Sequence, residues 1–407
     1  MKKYLRFLAG LLVVSSTISI VAQNAADDST AYPDSTAPVA FIYVANQVSQ
    51  VYNTTTDNLY AYTAAANGKL TLVPGAPFSY GNVSQMAVNG KYLFGLDENS
   101  ADIDSFLMES NGVPKLVEKN NVLQLNPDTC SIGFGPITVD HTGSNLYNLS
   151  DNSDCDFYQF ESFGIASSTG KLSYRGEGNT DNSINQGING PLAILGNDKF
   201  AYSANCFFED GEADGGLRAY QLGANGVLNN IDVDIDMPNP PNDSSDFYCP
   251  YSNIATDPTN HVLVELHDLD FEGDSIGKTR IGIFTATSTG ALTTNSTYSN
   301  MATPDTDDGW IRMAPSGKLL AVGSLEIFHF NGSKLTKFAD LGHYLGSEFI
   351  TEFYWDNANH LYAIGQTSHA DQGKLFVFTI TPTSVTEAPG SPYSIPNPTN
   401  IIVQPRP

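Results

Sequence analysis

Four side chains in the second half of the chain have the types needed for hydrolytic chemistry. His267 closes an apolar segment, Arg312 lies inside another, Glu348 precedes an aromatic segment and His369 lies in a polar loop. Histidine often serves as a general base, and a guanidinium can stabilise a developing oxyanion. We therefore interpret these four residues as candidate catalytic residues. The alternative is that each makes only ordinary hydrogen bonds in a loop or strand.

Two other residues have both a functional and a structural interpretation, and a third has a structural one. Glu352 and Trp310 lie close in sequence to the candidates, and the Trp310 ring could either stack on a sugar or pack inside the protein. His141 follows Asp140 at a bend before Gly143, where we expect it to serve a turn.

The chain is strongly acidic, with 44 Asp and Glu residues against 19 Lys and Arg, a formal charge of -25. This charge makes nucleic acid and anionic membrane surfaces unsuitable partners. One acidic run contains Asp305, Asp307 and Asp308, which could hold a calcium ion because hard cations prefer several oxygen ligands. No complete calcium-loop motif is present, and the alternative is that the acidic runs serve solubility. We expect no required cofactor.

A short apolar segment with a central aromatic or aliphatic residue recurs about every fifty residues along the chain. Strand patterns dominate each repeat, and no amphipathic helical stretch stands out. Such a period predicts a seven-bladed β-propeller, an all-β fold in which small sheets stack radially. The seven copies are Ile42–Asn46, Leu93–Asp97, Leu146–Ser150, Ala201–Asn205, Val262–Leu266, Leu319–Gly323 and Leu361–Gly365.

Each repeat continues with an aromatic strand, and in six repeats a Gly turn follows. Each Gly turn contains an Asn-Gly or Thr-Gly pair, which supplies the positive φ of a tight hairpin. The seventh repeat has residues 381–384, Thr-Pro-Thr-Ser, at this position. The six pairs are Asn67-Gly68, Asn111-Gly112, Thr169-Gly170, Asn225-Gly226, Thr289-Gly290 and Asn331-Gly332.

The two ends of the repeat region predict how the ring closes. Most copies are preceded by an inner strand, such as residues 252–256, but no such strand precedes Phe41. A suitable segment, residues 400–403, lies at the other terminus. We therefore predict that the C-terminal strand pairs with the first N-terminal strand, which leaves no large exposed sheet edge.

The N-terminus has the pattern of a secretory leader. Lys2, Lys3 and Arg6 precede an apolar run from residue 7 to 14, which is too short to span a membrane. We predict a signal peptide over 1–22, a disordered lead-in over 23–38 and a single propeller domain over 39–407. The protein is then exported to the periplasm or beyond the cell, and a monomer without a membrane span is expected. A retained anchor is the alternative.

Export favours disulfides for the four cysteines, Cys130, Cys155, Cys206 and Cys249. All four fall in loops that should lie on one face of a propeller. The preferred pairing is Cys130 with Cys155 and Cys206 with Cys249, although four cysteines allow three connectivities. A zinc site is not expected, because the sequence has no CxxC or HxxxH spacing.

The repeat resembles that of the seven-bladed lactonase propellers. The shared features are the bend at Asp257-Pro258, the second strand at Ile42–Asn46, the aromatic third strand and the turn at residues 67–70, Asn-Gly-Lys-Leu. The resemblance covers about residues 39–403. The family includes the propeller type of 6-phosphogluconolactonase and overlaps with YVTN-repeat surface proteins. The shared motifs are more specific for the fold than for an activity.

The resemblance implies hydrolysis of a lactone at the top of the central tunnel, with His267 or His369 as base and Arg312 as the cation. Active sugar-phosphate lactonases of this group are expected to carry His after the Gly-Pro that opens inner strands. Here Ile137 and Leu192 occupy those positions, and cations are few. We therefore expect a sugar lactone or related ester as substrate, without a phosphate. The alternative is a noncatalytic propeller that binds a small molecule, carbohydrate or protein.

Overall fold

A computed structural model of the chain describes most of the repeat region. The part from Thr36 to Pro407 forms one compact unit. The predicted leader, and the predicted lead-in except for Pro38, lie outside the described residues. The described residues are 38–47, 58–97, 100–127, 129–132, 137–152, 158–179, 191–209, 212–231, 235, 237–238, 247–269, 278–305, 310–367 and 372–406.

Strands make up almost all of the regular structure. The described helices are one short α-helix, α1 (Val122–Leu125), and one 3-10 turn (Gly342–Tyr344). None of the helices in the described ranges has the length and apolar character needed to cross a bilayer.

In the described ranges, thirty strands form seven separate antiparallel sheets, which we number as blades 1 to 7 in chain order. The strands of the first three blades are β1 (Ala40–Asn46), β2 (Asn58–Ala64), β3 (Leu70–Leu72), β4 (Gln85–Val88), β5 (Tyr92–Asp97), β6 (Asp102–Met108), β7 (Pro114–Asn121), β8 (Thr129–Ile132), β9 (Thr138–Val139), β10 (Asn145–Asn152), β11 (Tyr158–Ile165) and β12 (Leu172–Asn179). Those of blades 4 and 5 are β13 (Ala193–Ile194), β14 (Phe200–Glu209), β15 (Glu212–Leu222), β16 (Leu228–Ile231), β17 (Phe247–Thr256), β18 (His261–Leu269), β19 (Arg280–Ala286) and β20 (Leu292–Thr294).

The remaining strands complete blades 6 and 7 and close the ring. They are β21 (Ile311–Met313), β22 (Leu319–Val322), β23 (Glu326–Phe330), β24 (Leu335–Asp340), β25 (Phe349–Trp355), β26 (His360–Gln366), β27 (Gly373–Ile380), β28 (Val385–Glu387), β29 (Tyr393–Ser394) and β30 (Pro398–Pro405). We call the face that carries the loops between second and third strands the upper face. The face that carries the turns between inner and second strands is the lower face.

The predicted seven-bladed propeller and its closure are confirmed. Strand β30 pairs with β1 in antiparallel register, so that Ile402 lies opposite Tyr43 and Ile401 opposite Val44. Blade 1 thus takes its inner strand from the C-terminal end of the chain and its other strands from the N-terminal end. The edge of β1 that would otherwise be unpaired is covered.

The hydrophobic core lies between neighbouring blades. At the interface of blades 4 and 5, Tyr202, Val264 and Phe284 are fully buried in one cluster. The aromatic residues predicted for the third strands are buried in the same way at other interfaces, including Phe106 and Phe376. Burial of each such side chain stabilises the fold by about 1.5–3 kcal/mol, which explains why a blade is stable only beside its neighbours.

The predicted Gly turns are confirmed, and all six glycines have positive φ. They also make room for the preceding blade. The Tyr147 hydroxyl donates to the Gly226 carbonyl at 2.9 Å, and the Tyr202 hydroxyl donates to the Gly290 carbonyl at 2.7 Å. A Cβ on Gly226 would overlap the Asn145 side chain of blade 3. These two turns therefore tie blade 3 to blade 4 and blade 4 to blade 5, a role beyond hairpin geometry.

Candidate functional site

A central cavity of about 350 Å³ is lined by the inner strands of all seven blades. Its lining comes from these strands, from residues just before two of them, and from His141 and Pro315 in the lower turns, so it extends toward the lower face. In each blade, one residue of the inner strand pairs with a buried residue of the second strand, and this pair occupies the equivalent position in all seven blades. We call this set the cavity ring: Ala87, Thr138, Ala193, Ala255, Arg312, Tyr354 and Ile402.

Arg312 is the single charged member of the cavity ring. Its guanidinium lies over the Trp310 ring, 4.6 Å from the centroid, and over the Tyr354 ring at 4.3 Å. The Trp310 and Trp355 indoles are fixed in turn, because they donate to the Thr351 and Arg312 carbonyls. Stacking and planar geometry hold the guanidinium in one orientation at the cavity wall.

Glu352 is the counter-ion of Arg312 and is itself fully engaged. Arg312 Nη2 donates to Glu352 Oε1 at 3.1 Å, while Asn400 Nδ2 and the Ile401 backbone N–H donate to Oε2 at 2.6 and 2.9 Å. Asn400 Nδ2 also reaches Gln85 Oε1 at 3.2 Å. This network joins the inner strands of blades 6, 7, 1 and 2, and so it crosses the seam where the ring closes.

The Glu352 carboxyl has an unusual proton affinity. Burial raises the pKa of Glu352 from its usual 4.5 to about 7, although Arg312 and the Ile401 N–H act in the opposite direction. Near neutral pH the carboxyl therefore carries only part of a negative charge. The positive charge of Arg312 is then incompletely neutralised at the wall of the cavity.

A histidine and a carboxylate meet at the lower mouth of the same cavity. His141 Nδ1 lies 2.7 Å from Asp198 Oδ1, and the His141 backbone N–H also donates to this oxygen at 3.2 Å. When Nδ1 donates to the carboxylate, Nε2 is left with its lone pair. His141 does lie in a turn, as expected from the sequence, but it also lines the cavity.

Three of the four predicted catalytic residues lie in the described part of the chain, and each is next to a different acidic or basic side chain. His267 Nε2 lies 3.5 Å from Glu265 Oε1, Glu348 Oε1 lies 2.6 Å from Lys374 Nζ, and Arg312 pairs with Glu352. His369 lies outside the described residues. Of the four predicted residues, the cavity includes Arg312, and the catalytic roles of the set stay predictions.

The predicted calcium ligands are described only in part. Asp305 Oδ2 accepts from Lys337 Nζ at 2.6 Å, whereas Asp307 and Asp308 lie outside the described residues. The proposed calcium site therefore stays a prediction at these three residues.

The cysteine pairing also stays a prediction. Cys249 is buried in β17 opposite His267. Strands β14 and β17, which carry Cys206 and Cys249, pack against each other, as the second predicted pair requires. The side chains of Cys130, Cys155 and Cys206 lie outside the described residues.

Two groupings in this site were not recognised from the sequence, although Glu352 itself was considered for a functional as well as a structural role. Glu352 and Asn400 are 48 residues apart in the chain, and only ring closure brings them together. The position of Glu352 indicated that it has a partner, because burying a lone carboxylate inside an inner strand costs free energy unless it is paired. His141 and Asp198 come from the turns of two neighbouring blades, and their pairing had no local signal.

No protein-family model matches the sequence, and neither does any curated protein. Solved structures do match. A candidate 6-phosphogluconolactonase from Bacteroides fragilis is 13% identical with a TM-score of 0.56, and the match covers 91% of this chain and 99% of that chain.

Two other solved structures are similar to the same extent. A protein from Lactobacillus plantarum is 12% identical with a TM-score of 0.57, covering 89% of this chain and 99% of that one. A candidate 6-phosphogluconolactonase from Bacteroides uniformis is 11% identical with a TM-score of 0.56 and the same coverage. The resemblance to lactonase propellers is thus confirmed at the level of architecture, and the chain shares the seven-bladed propeller fold of these proteins.

Proposed function

We propose that this propeller hydrolyses a small lactone in its central cavity, with Arg312 binding the carbonyl oxygen. The observation that carries this proposal is the position of Arg312, the one charge in the cavity ring, held in place by Glu352 and two aromatic rings. A fixed cation at an otherwise uncharged wall is suited to a carbonyl oxygen that becomes negative during the reaction. The cavity volume, about 350 Å³, is at the small end of ligand pockets and suits a single ring.

In the proposed reaction a water molecule attacks the lactone carbonyl. His141, oriented by Asp198, takes a proton from this water while the water oxygen bonds to the carbonyl carbon. Arg312 stabilises the resulting oxyanion. The ring C–O bond then breaks, and the departing alkoxide takes the proton from His141. The product is a hydroxy acid. Glu352 contacts no substrate in this scheme and acts by positioning Arg312.

The lining argues against a phosphorylated substrate. Among the described residues that line the cavity, Arg312 is the only one with a permanent positive charge, whereas a phosphate is commonly held by several Arg or Lys side chains. The leader-like N-terminus is consistent with a substrate met outside the cytoplasm. We therefore propose an uncharged sugar lactone or aliphatic lactone, and an exported protein.

The proposed reaction site lies in the lower half of the tunnel. The sequence instead predicts a site at the upper rim, near His267 and His369. The described cavity instead includes His141 and Pro315 from the lower turns. Many of the upper loops lie outside the described residues, so a contribution from that side stays a prediction.

The test is hydrolysis of a panel of γ- and δ-lactones by the purified protein, followed by proton release. Wild type is compared with Arg312→Lys, Arg312→Met and His141→Ala. We expect each to lose about 100-fold or more of kcat/KM, as is typical when an oxyanion donor or a base is removed. Arg280→Lys is the matched control, because Arg280 is also buried and stacked on a ring, that of Tyr298, but does not line the cavity.

The outcomes separate the two candidate functions. Turnover that survives in the Arg312 and His141 variants would refute the site. Absence of turnover in wild type, together with lactone binding that depends on Arg312, would instead support the noncatalytic binding propeller.

A further inference from the structure

A second group of charged side chains lies at the upper edge of blade 6, away from the cavity ring. Asp305 precedes β21, Glu326 begins β23 and Asp340 ends β24. One carboxylate oxygen from each of the three lies within 4.8 Å of the others. Residues from three separate segments thus bring three carboxylates to one point.

A lysine ammonium occupies the centre of this group. Lys337 Nζ lies 2.6 Å from Asp305 Oδ2, 3.0 Å from Glu326 Oε1 and 3.5 Å from Asp340 Oδ2. One positive charge therefore faces three carboxylates, and the group retains excess negative charge. The Lys337 side chain is 36% exposed, so its flexible stem can turn outward into solvent.

Glu326 provides an independent sign that the group is incompletely satisfied. The residue is 1% exposed. Its Oε1 accepts from Lys337 and from the Asp305 backbone N–H, but its Oε2 is buried and has no hydrogen-bond partner among the described residues. An unpartnered oxygen of a buried carboxylate is costly, and a bound cation removes this cost.

We propose that Asp305, Glu326 and Asp340 form a calcium site in which the ion exchanges with the Lys337 ammonium. Calcium accepts six to eight oxygens at variable geometry, so three carboxylates and water can coordinate it. Magnesium requires near-ideal octahedral geometry and gives up its water reluctantly, which three carboxylates from separate segments do not favour. This site shares only Asp305 with the one expected from the sequence, and it does not depend on lactone hydrolysis.

The test is calorimetric titration of calcium chloride into metal-free protein. Lys337→Met removes the competing ammonium, and we expect it to bind calcium at least tenfold more tightly than wild type. Glu326→Gln should abolish the binding heat. Because the Glu326 variant could fail to fold, Asp340→Asn serves as a second variant. Its side chain is 52% exposed, and we expect affinity to fall at least tenfold.

The chain offers a matched control in blade 7. Glu348 is buried, pairs with a partly exposed lysine, Lys374, and also has an Oε2 without a hydrogen-bond partner among the described residues. It differs because it belongs to no group of three or more acidic, histidine or cysteine side chains in the described part of the chain. Glu348→Gln and Lys374→Met should therefore leave calcium affinity unchanged.

Three results would overturn the proposal. The first is the absence of binding heat in both wild type and Lys337→Met. The second is calcium binding that persists unchanged in Glu326→Gln and Asp340→Asn, which would place the ion elsewhere. The third is equal affinity for magnesium and calcium.

Discussion

Two cations of blade 6, Arg312 and Lys337, belong to cation–carboxylate groups that differ in almost every respect. In the inner strand, Arg312 faces one carboxylate, Glu352, whose two oxygens already accept three hydrogen bonds. In the outer strand, Lys337 faces three carboxylates, one of which retains an unpartnered oxygen. Because burial raises the pKa of Glu352 to about 7, this carboxyl is only partly ionised near neutral pH and the first group has spare positive charge. The second group has spare negative charge, because one ammonium faces three carboxylates.

The difference shows how the choice of cation sets what a site can bind. Arginine is planar and stacks on rings, so Trp310 and Tyr354 fix it where a substrate can reach it. Lysine carries a compact charge on a flexible stem, so a bound cation can displace its ammonium group from the carboxylates. We therefore expect the inner group to bind carbonyl oxygens or anions and the outer group to bind cations.

The largest expected effect comes from removing the inner cation. Arg312→Met leaves Glu352 buried without its counter-ion, and we expect the free energy of unfolding to fall by about 3–5 kcal/mol in urea denaturation near pH 8. Arg280→Met, a stacked arginine without a carboxylate in its described contacts, should cost clearly less. Equal losses in the two variants would mean that packing of the arginine stem, and not the ion pair, provides the stability.

The next effect is a pH dependence between about 4.5 and 7 that arises from Glu352 of the inner group. The pKa of Glu352 is raised from 4.5 to about 7 in the folded protein. Between these values the unfolded chain releases the proton while the folded protein keeps it, so this residue lowers stability as pH rises from about 4.5 to 7. The contribution is on the order of 3 kcal/mol. Urea denaturation across this range should show a steeper decline for wild type than for Glu352→Gln. Parallel pH curves would contradict the assignment.

A smaller effect should separate the outer group from the inner one. In calcium-free buffer, Lys337→Met leaves Glu326 without its cation, and we expect a loss of about 1–2 kcal/mol, reduced by the partial exposure of the lysine. Added calcium should restore the melting temperature of this variant by binding the folded state. It should not restore Arg312→Met. Calcium rescue of both variants, or of neither, would remove the distinction between the groups.

Salt provides the smallest effect. Raising sodium chloride from roughly 0.05 M to 0.5 M should weaken calcium binding at the outer group several-fold, because Asp305 and Asp340 are largely exposed. The stability difference between wild type and Arg312→Met should change by less than about 0.5 kcal/mol, since Glu352 is buried. Salt titrations of both quantities test this, and a similar salt response in each would count against the comparison.

The architecture could be predicted from the sequence because propeller repeats are local. The sequence has a local pattern for each Gly turn, each aromatic strand and each apolar second strand. The additional apolar segment at residues 400–403 predicted the closure of the ring. The blade 6 copy, Leu319–Gly323, is offset by one residue from the other six copies. In blade 6, Ala321 and not Leu320 pairs with Arg312, and Ala321 faces blade 7. The turn from Ala314 to Leu319 is a residue longer than the one from Asp257 to His261, and the apolar run of Leu319–Val322 hides the shift.

The site was less accessible because its contacts are not local. Arg312 was identified from its charge within an apolar strand, but its partner depends on how neighbouring blades pack. Glu352 receives hydrogen bonds from Asn400 and Ile401, which come from the far end of the chain. His141 and Asp198 are 57 residues apart and belong to different blades. Residue type indicated the chemistry, but the grouping required the three-dimensional structure.

The pairing of β30 with β1 has a consequence for biosynthesis. Because a ribosome makes the chain from its N-terminus, β30 is the last of the thirty strands to emerge, and until then blade 1 lacks its inner strand. Asn400 and the Ile401 N–H, which hold Glu352, arrive with the same strand. A nascent chain can therefore stack six blades while its cavity stays open on one side. Ring closure and assembly of the Arg312 network are then a single final event of maturation.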